Sequence, residues 1–231
     1  MFSLEARGLR LLATATDLSV PEVIGTSDDP AYLVLEWLSE GRKSQATDVA
    51  LGEGLAALHL NHAQRHGLDH DNYIALLYQP NSQTESWTVF YGEQRIRAQM
   101  NIARQANNLS ADLEKNLETL IIRLPQLVPE PEASLMHGDL WGGNVMVLEG
   151  GHPAIIDPAV YYGHREVELA MTELFGGFSR EFYDAYNSVY PIDKGYNQRR
   201  LLYQLYPMMT HMNLFGGGYT SRVQSIVRQY I

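Results

Sequence analysis

The sequence predicts an α+β fold in which a scrap of sheet precedes a mostly helical body with one embedded β-hairpin. Three observations predict it. An apolar run of strand type, YLVLEWL, lies near the start at 32–38. Leu113, Leu117, Leu120, Ile121 and Leu124 recur at helical spacing farther on. Two short apolar runs, VMVL at 145–148 and AII at 154–156, flank Gly150-Gly151 as a hairpin would.

Residues 2 to about 15 read as a helix carrying Leu4, Leu11 and Leu12. Pro21 opens an extended stretch, and the turn formers TSDDP at 26–30 separate it from the 32–38 run. Ser44 or Thr47 is placed to cap a helix through VALGEGLAALHLNHAQRH, after which Asp71, Asn72 and Pro80 mark a loop. SWTVFYGEQRIRAQMNIARQAN reads as helical for most of its length. Ser110 opens the next helix, with Asp112 and Glu114 where the macrodipole favours acids, and PQLVPEPEA ends it. Beyond residue 164 the chain reads as helical, with breaks at Gly176-Gly177, Pro191, Pro207 and Gly216-Gly217-Gly218.

Composition narrows the function. With 231 residues and 45% hydrophobic content, the chain can bury a sizeable core. A formal charge of −10 argues against a nucleic-acid or anionic-membrane surface, both of which need a clustered basic footprint. The absence of cysteine removes disulfides, thiolate metal sites and cysteine nucleophiles. Glu5, Arg7 and Arg10 interrupt any signal-peptide core, and no apolar run approaches the length of a membrane span. A cytoplasmic protein is the default expectation.

The chemistry concentrates at 137–157, HGDLWGGNVMVLEGGHPAIID. Asp139 sits in a tight glycine-rich loop, Asn144 follows five residues later, and Asp157 comes at the end of the second hairpin strand. Phosphoryl transfer needs such a set: one carboxylate to orient or deprotonate the accepting hydroxyl, and an amide and a second carboxylate as hard oxygen ligands for Mg²⁺. The hairpin returns Asp157 to Asn144, so both ligands face one pocket. The spacing D-x-x-x-x-N, with His137 ahead of it, is that of kinase catalytic loops. The competing reading, a polar turn whose Asp and Asn merely cap backbone groups, explains neither the fifth-residue Asn nor the strand-terminal Asp.

HGDLWGGNV and IDPAVYYGHREVELAMTELFGGF resemble the fructosamine kinase (ketosamine 3-kinase) family, one of the aminoglycoside- and choline-kinase-like folds. The likeness extends through FSLEARGLRLL, VPEVIG, YLVLEWL, LAALH, DNYIALLYQPN, WTVFYGEQRI and HMNLFGGGY. It implies a protein-kinase-like architecture. Residues 1–38 would be a partial N-terminal lobe of one helix and two strands, with the hinge, and 39–231 a helical catalytic lobe. It further implies that Asp139 is the catalytic base and that Asn144 and Asp157 hold Mg²⁺. Glu36, Trp37 and Leu38 would form the hinge that meets adenine, and Glu5 would pair with the ATP-binding lysine. Trp141, His211 and Trp87 are weaker candidates for the substrate pocket. The implied activity is ATP-dependent phosphorylation of a sugar hydroxyl on a fructosamine, small or protein-borne, as a repair of glycation.

The only lysines are Lys43, Lys115 and Lys194, none in a strand ahead of Glu5, and no glycine-rich loop precedes Glu5. In the family both elements lie just upstream of the segment matching Met1–Leu12. A truncated or misannotated start is the favoured expectation, beside a shortened inactive homologue or a lobe completed by another chain. The strand near 32–36 would then present an edge favouring a homodimer. A kinase for another small hydroxyl substrate, such as an aminoglycoside or choline, and a pseudokinase binding module remain as alternatives.

His59, His62, His66 and His70 near helical spacing lack the Glu of a zincin pattern and read as a polar helix face with its following loop. Tyr203, Tyr206 and Phe215 read as core, and Gly216–Gly218 as a helix terminator without a phosphate-gripping Lys. Arg165 and Glu168 read as structural anchors of the loop.

Overall fold

The computed structural model describes all 231 residues. Helix α1 (Phe2–Ala13) buries Ala6, Gly8, Leu9 and Leu12. Gly8 permits its close seat, since a Cβ there would stand 3.1 Å from Val160 Cγ2. Strands β1 (Val23–Asp28) and β2 (Ala31–Leu35) pair antiparallel as an isolated two-stranded sheet. β2 stops at Leu35, so Glu36–Leu38 lie beyond the strand in which the sequence placed them.

Helix α2 (Gln45–His59) starts at a reciprocal cap: Thr47 N–H donates to Ser44 Oγ at 3.3 Å, and Ser44 N–H to Thr47 Oγ1 at 3.0 Å. It ends earlier than expected. Asn61 Nδ2 donates to the carbonyls of Ala57 and Leu58, which closes the last turn. His62–Ala63 then forms β3 against Ala133–Ser134. His59 and His66 are buried, not on a polar face, because each lies where the chain turns into the body.

Strands β4 (Asn72–Ile74) and β5 (Leu77–Gln79) form a small hairpin. Then come α3 (Trp87–Phe90), a π-helical turn (Tyr91–Arg97), α4 (Ala98–Gln105) and α5 (Ala111–Leu127). The π turn carries Arg95 into the interior, its guanidinium 4.0 Å from the Tyr161 ring centroid and 4.6 Å from that of Phe90. Helix α5 begins at the Ser110 cap and runs through Pro125, whose missing N–H leaves the Ile121 carbonyl without its usual partner, to stop two residues later at Leu127.

Strand β6 (Ala133–Met136) is the centre of a three-stranded sheet, β3-β6-β9, with β9 at Tyr161–Gly163. Between them, β7 (Val145–Val147) and β8 (Pro153–Ile155) form the predicted hairpin, turning through Gly150 and Gly151 at φ +84° and +83°. The remaining helices are α6 (Arg165–Thr172), α7 (Arg180–Val189), α8 (Tyr196–Tyr203), α9 (Leu205–Phe215) and α10 (Gly218–Val227). The break expected at Pro207 falls just ahead of it, at Gln204 between α8 and α9, which places Pro207 in the first turn of α9, where its missing N–H costs least. One apolar cluster of 42 buried residues runs from Leu12 in α1 to Val227 in α10. No helix is long and apolar enough to cross a membrane.

Candidate active site

The loop after β6 is held from beneath by one carboxylate. Glu168, buried in α6, accepts the N–H of His137 at 2.9 Å and that of Gly138 at 2.6 Å. Burial alone would raise its pKa, but hydrogen bonds from His59 and from the loop amide hold it below the ordinary Glu value. His59 stays neutral, its pKa lowered by burial; its Nε2–H donates to Glu168 at 2.9 Å while Nδ1 accepts from Tyr186 O–H at 2.7 Å. Arg165 in turn donates to Tyr186 Oη at 3.1 Å. Glu168 therefore anchors the loop directly, whereas Arg165 reaches it only through Tyr186 and His59, its other bonds going to the carbonyls of Tyr190 and Pro191.

Gly138 takes φ +88°, and a Cβ there would fall 2.0 Å from Ala159 O, so no other residue lets the loop pass. His137 is buried and neutral, with Nε2–H donating to Ile156 O at 2.9 Å and Nδ1 accepting the N–H of Asp139 at 3.3 Å. The imidazole therefore ties the Asp139 loop to the segment that leads into Asp157.

Asn144 ends a tight turn (Gly142–Asn144) just before β7. Its Nδ2 donates to Asp139 O at 2.8 Å, Asp139 Oδ2 at 3.3 Å and Asp157 O at 3.4 Å. Its Oδ1 makes no hydrogen bond and remains a free hard acceptor. Asp157 itself adopts φ +54°, a left-handed conformation uncommon outside glycine and the kind of backbone cost found at working sites. The three residues expected to act together are brought together.

Burial and the neighbouring charge of Asp157 push the Asp139 pKa up to about 7. Glu5, on α1, is also raised, first by burial and then by Asp157. Three carboxylates thus ring one space. None of the three lysines answers them; Lys43 is engaged with Asp48 at 2.9 Å. Such a donor set suits a hard divalent cation. Asp157 and Asn144 Oδ1, with Asp139 beside them, fit one that draws its other ligands from phosphate and water. No cluster of three or more His, Asp or Glu side chains forms a self-sufficient metal cage.

Asp139 and Asp157 line two cavities at once. One, of about 390 Å³, opens toward α1 and includes Glu5, Ala75 and Leu76. The other, of about 420 Å³, opens toward α9 and is walled by Trp141, Phe175, His211, Phe215 and Tyr219. Trp141 and His211 therefore face the acid pair, on the second side. Trp87 does not: it is fully buried, packed against Phe90 and Tyr91, and a ring enclosed in the core cannot meet a ligand. Glu36, Trp37 and Leu38 line neither cavity, and Trp37 is 89% exposed.

Tyr203 and Tyr206 are core as expected, but Phe215 is 68% exposed at the cavity mouth. Phe175 and Tyr219 were not singled out from the sequence. The available signal was a doubled string, LFGGF at 174–178 and LFGGGY at 214–219, which places an aromatic beside a glycine break twice.

Comparison with known proteins follows the same lines. The family model described as fructosamine kinase matches residues 1–231. The "Probable ketoamine kinase" of Synechocystis is 43% identical, over 99% of this chain and 78% of its own length. The chloroplastic protein-ribulosamine 3-kinase of Arabidopsis thaliana is 37% identical, over 100% of this chain and 72% of its own. A crystal structure from Thermobifida fusca, described as a "putative fructosamine-3-kinase", superposes with a TM-score of 0.90 at 35% identity, covering 99% of this chain and 79% of that one. An ADP-bound aminoglycoside phosphotransferase matches at a TM-score of 0.62 and 14% identity, covering 98% and 80%, which shows a shared kinase-like fold.

Proposed function

The chain belongs to the fructosamine kinase family and is a phosphotransferase, and from that premise we propose that it moves the γ-phosphoryl group of Mg-ATP to a hydroxyl of a sugar-amine adduct, a ketoamine. The observation that carries the reading is the position of Asp139 and Asp157 between two cavities, one for the phosphate donor and one for the acceptor. Asp139 receives the proton of the attacking hydroxyl. A carboxylate near pKa 7 suits that task at neutral pH, and such general-base action is worth ~10²–10⁴-fold. The acceptor oxygen bonds to the γ-phosphorus as the bond to the bridging oxygen breaks, and that electron pair leaves with ADP. Asn144 and Asp157 would hold Mg²⁺, which when bound draws charge from the phosphate oxygens.

Trp141 and His211 belong to the acceptor side. The names of the relatives place the phosphate of their products at the third sugar carbon, and we assign the same hydroxyl here.

The test is phosphate transfer from Mg-ATP to synthetic 1-amino-1-deoxyfructose by this chain and by Asp139→Asn. Turnover lost with the substitution supports the reading. Turnover that survives it removes Asp139 as base, and no turnover by the unaltered chain moves the reading to a ligand-binding module.

A further inference from the structure

The acceptor cavity has a mouth that phosphoryl transfer itself does not explain. Its floor is Asp139, Asn144 and Asp157; its rim is Phe175 and Phe215, 39% and 68% exposed. Both rings come from the same local device. Leu174-Phe175-Gly176-Gly177 follows the end of α6, and Leu214-Phe215-Gly216-Gly217 spans the end of α9. All four glycines take positive φ, at +93°, +71°, +63° and +60°. At Gly176, Gly216 and Gly217 a Cβ would meet nothing within 4 Å. Glycine is therefore present at those three positions for its backbone conformation and not for want of room. Each turn drops the chain away abruptly and leaves its phenylalanine standing at the rim.

The two rings meet across His211. Its ring centroid is 4.9 Å from that of Phe175 and 5.6 Å from that of Phe215. Trp141 closes the near side, 6.0 Å from Phe175. Beyond the floor, the wall carries no acid or permanent cation; it is aromatic and aliphatic apart from Thr210 and His211.

We infer that Phe175 and Phe215 are specificity-determining residues that read the amine-side substituent of the ketoamine, the part beyond its nitrogen. This rests on the ketoamine kinase reading. When the third-carbon hydroxyl stands at Asp139, the nitrogen on the first carbon is only a few bonds away, inside the cavity. The substituent on that nitrogen extends toward the mouth framed by His211 and the two phenylalanines. The protonated nitrogen lies between the floor carboxylates and aromatic ring faces, both favourable to a cation. The substituent covers two rings that are otherwise exposed to water, so burial of apolar area favours flat or aliphatic groups there. The sugar is read at the floor and the amine at the rim, by different residues.

The test compares two acceptors, 1-amino-1-deoxyfructose and its N-benzyl derivative, with the unaltered chain, Phe175→Ala, Phe215→Ala and Phe215→Tyr. KM and kcat are read by ADP release, and Kd by calorimetry without nucleotide. Each alanine variant raises KM and Kd for the N-benzyl adduct ~5–20-fold, the scale of a lost apolar contact in a specificity pocket. The unsubstituted adduct loses less, so the preference for the N-benzyl adduct falls, and Phe215→Tyr restores that preference. Equal losses on both acceptors, or none on either, overturn the inference. If the unaltered chain binds the adducts with this discrimination but turns over neither, the phosphotransferase reading fails while the rim assignment stands. If it binds neither, the rim assignment fails too.

Discussion

His59 Nε2 lies 2.9 Å from Glu168 Oε2, and neither side chain reaches solvent. A neutral imidazole here donates to a carboxylate that also receives two loop amides, so Glu168 uses three of its roughly four acceptor sites. Glu168→Gln sets an amide NH₂ against groups that themselves donate. The expected loss is about 1–3 kcal/mol, the cost of leaving a buried donor opposed by another donor. Denaturant titration checks it, and kcat should fall with it, because the loop that loses its anchor carries Asp139.

Tyr186→Phe acts one link farther from the loop. It removes the hydroxyl between His59 and Arg165, leaving His59 Nδ1 without a partner in the interior. About 1–3 kcal/mol of stability is lost. Thermal unfolding should show it, with the folded-state far-ultraviolet spectrum unchanged.

Stability should fall on mild acidification. Burial lowers the pKa of His59, His137 and His164, so the folded protein keeps them neutral while the unfolded chain protonates them below about 6.5. The unfolded state then binds more protons, and stability is lost as pH falls through 6.5 toward the lower folded values. Each histidine contributes a slope of about 1.4 kcal/mol per pH unit once the unfolded form is protonated. Urea midpoints measured from pH 8 to 5.5 test this; a flat profile would show that the imidazoles are not held neutral.

Asp139 works in the opposite direction. Its folded pKa of about 7 exceeds that of an unfolded Asp, about 3.9, so its cost to stability builds as pH rises from about 4 to 7, is complete above 7 and is absent below the unfolded value. Without metal, Asp139→Asn should melt roughly 3 °C above the unaltered chain at pH 8, as a gain of about 1 kcal/mol does in a domain of this size. At pH 5 the gap should be markedly smaller. Equal melting at both values would mean that Asp139 and Asp157 are not in electrostatic conflict.

Gly138→Ala combines a left-handed backbone with a contact 2.0 Å from Ala159 O. The loop has to move, and activity should drop to the level of Asp139→Asn. Ala at Gly176, where φ is also positive but the space is open, should leave the floor chemistry intact.

Local signals were legible where the chain states its own geometry. Ser44 and Ser110 cap the helices they precede, and the Gly150-Gly151 turn returns Asp157 to Asn144. Position within the body was less so. Trp87 and Trp141 are equally aromatic in the sequence, but only Trp141 stands on a loop that faces the acids. His59 and His66 resemble a polar face until Asn61 stops the helix between them. The pairing of Glu168 with the His137 loop spans 31 residues, and no periodicity announces it. Phe215 was read as core because its spacing from Tyr203 and Tyr206 is helical; the glycines after it turn it out of the core.

The β7–β8 hairpin is fastened at both ends. Its inner end delivers Asn144 and Asp157, while its outer end is stitched to the connector after β2. There Gly41 N–H donates to Val147 O at 2.7 Å and Glu149 N–H to Ser39 O at 3.2 Å. Gly41 cannot be exchanged without a clash, since a Cβ would lie 2.1 Å from Leu148 O. The hairpin therefore acts as a lever arm. Three residues of paired strand are all that separate the connector after β2 from the side chain that precedes β7. A shift of the backbone at residues 39–41 should therefore be felt at Asn144.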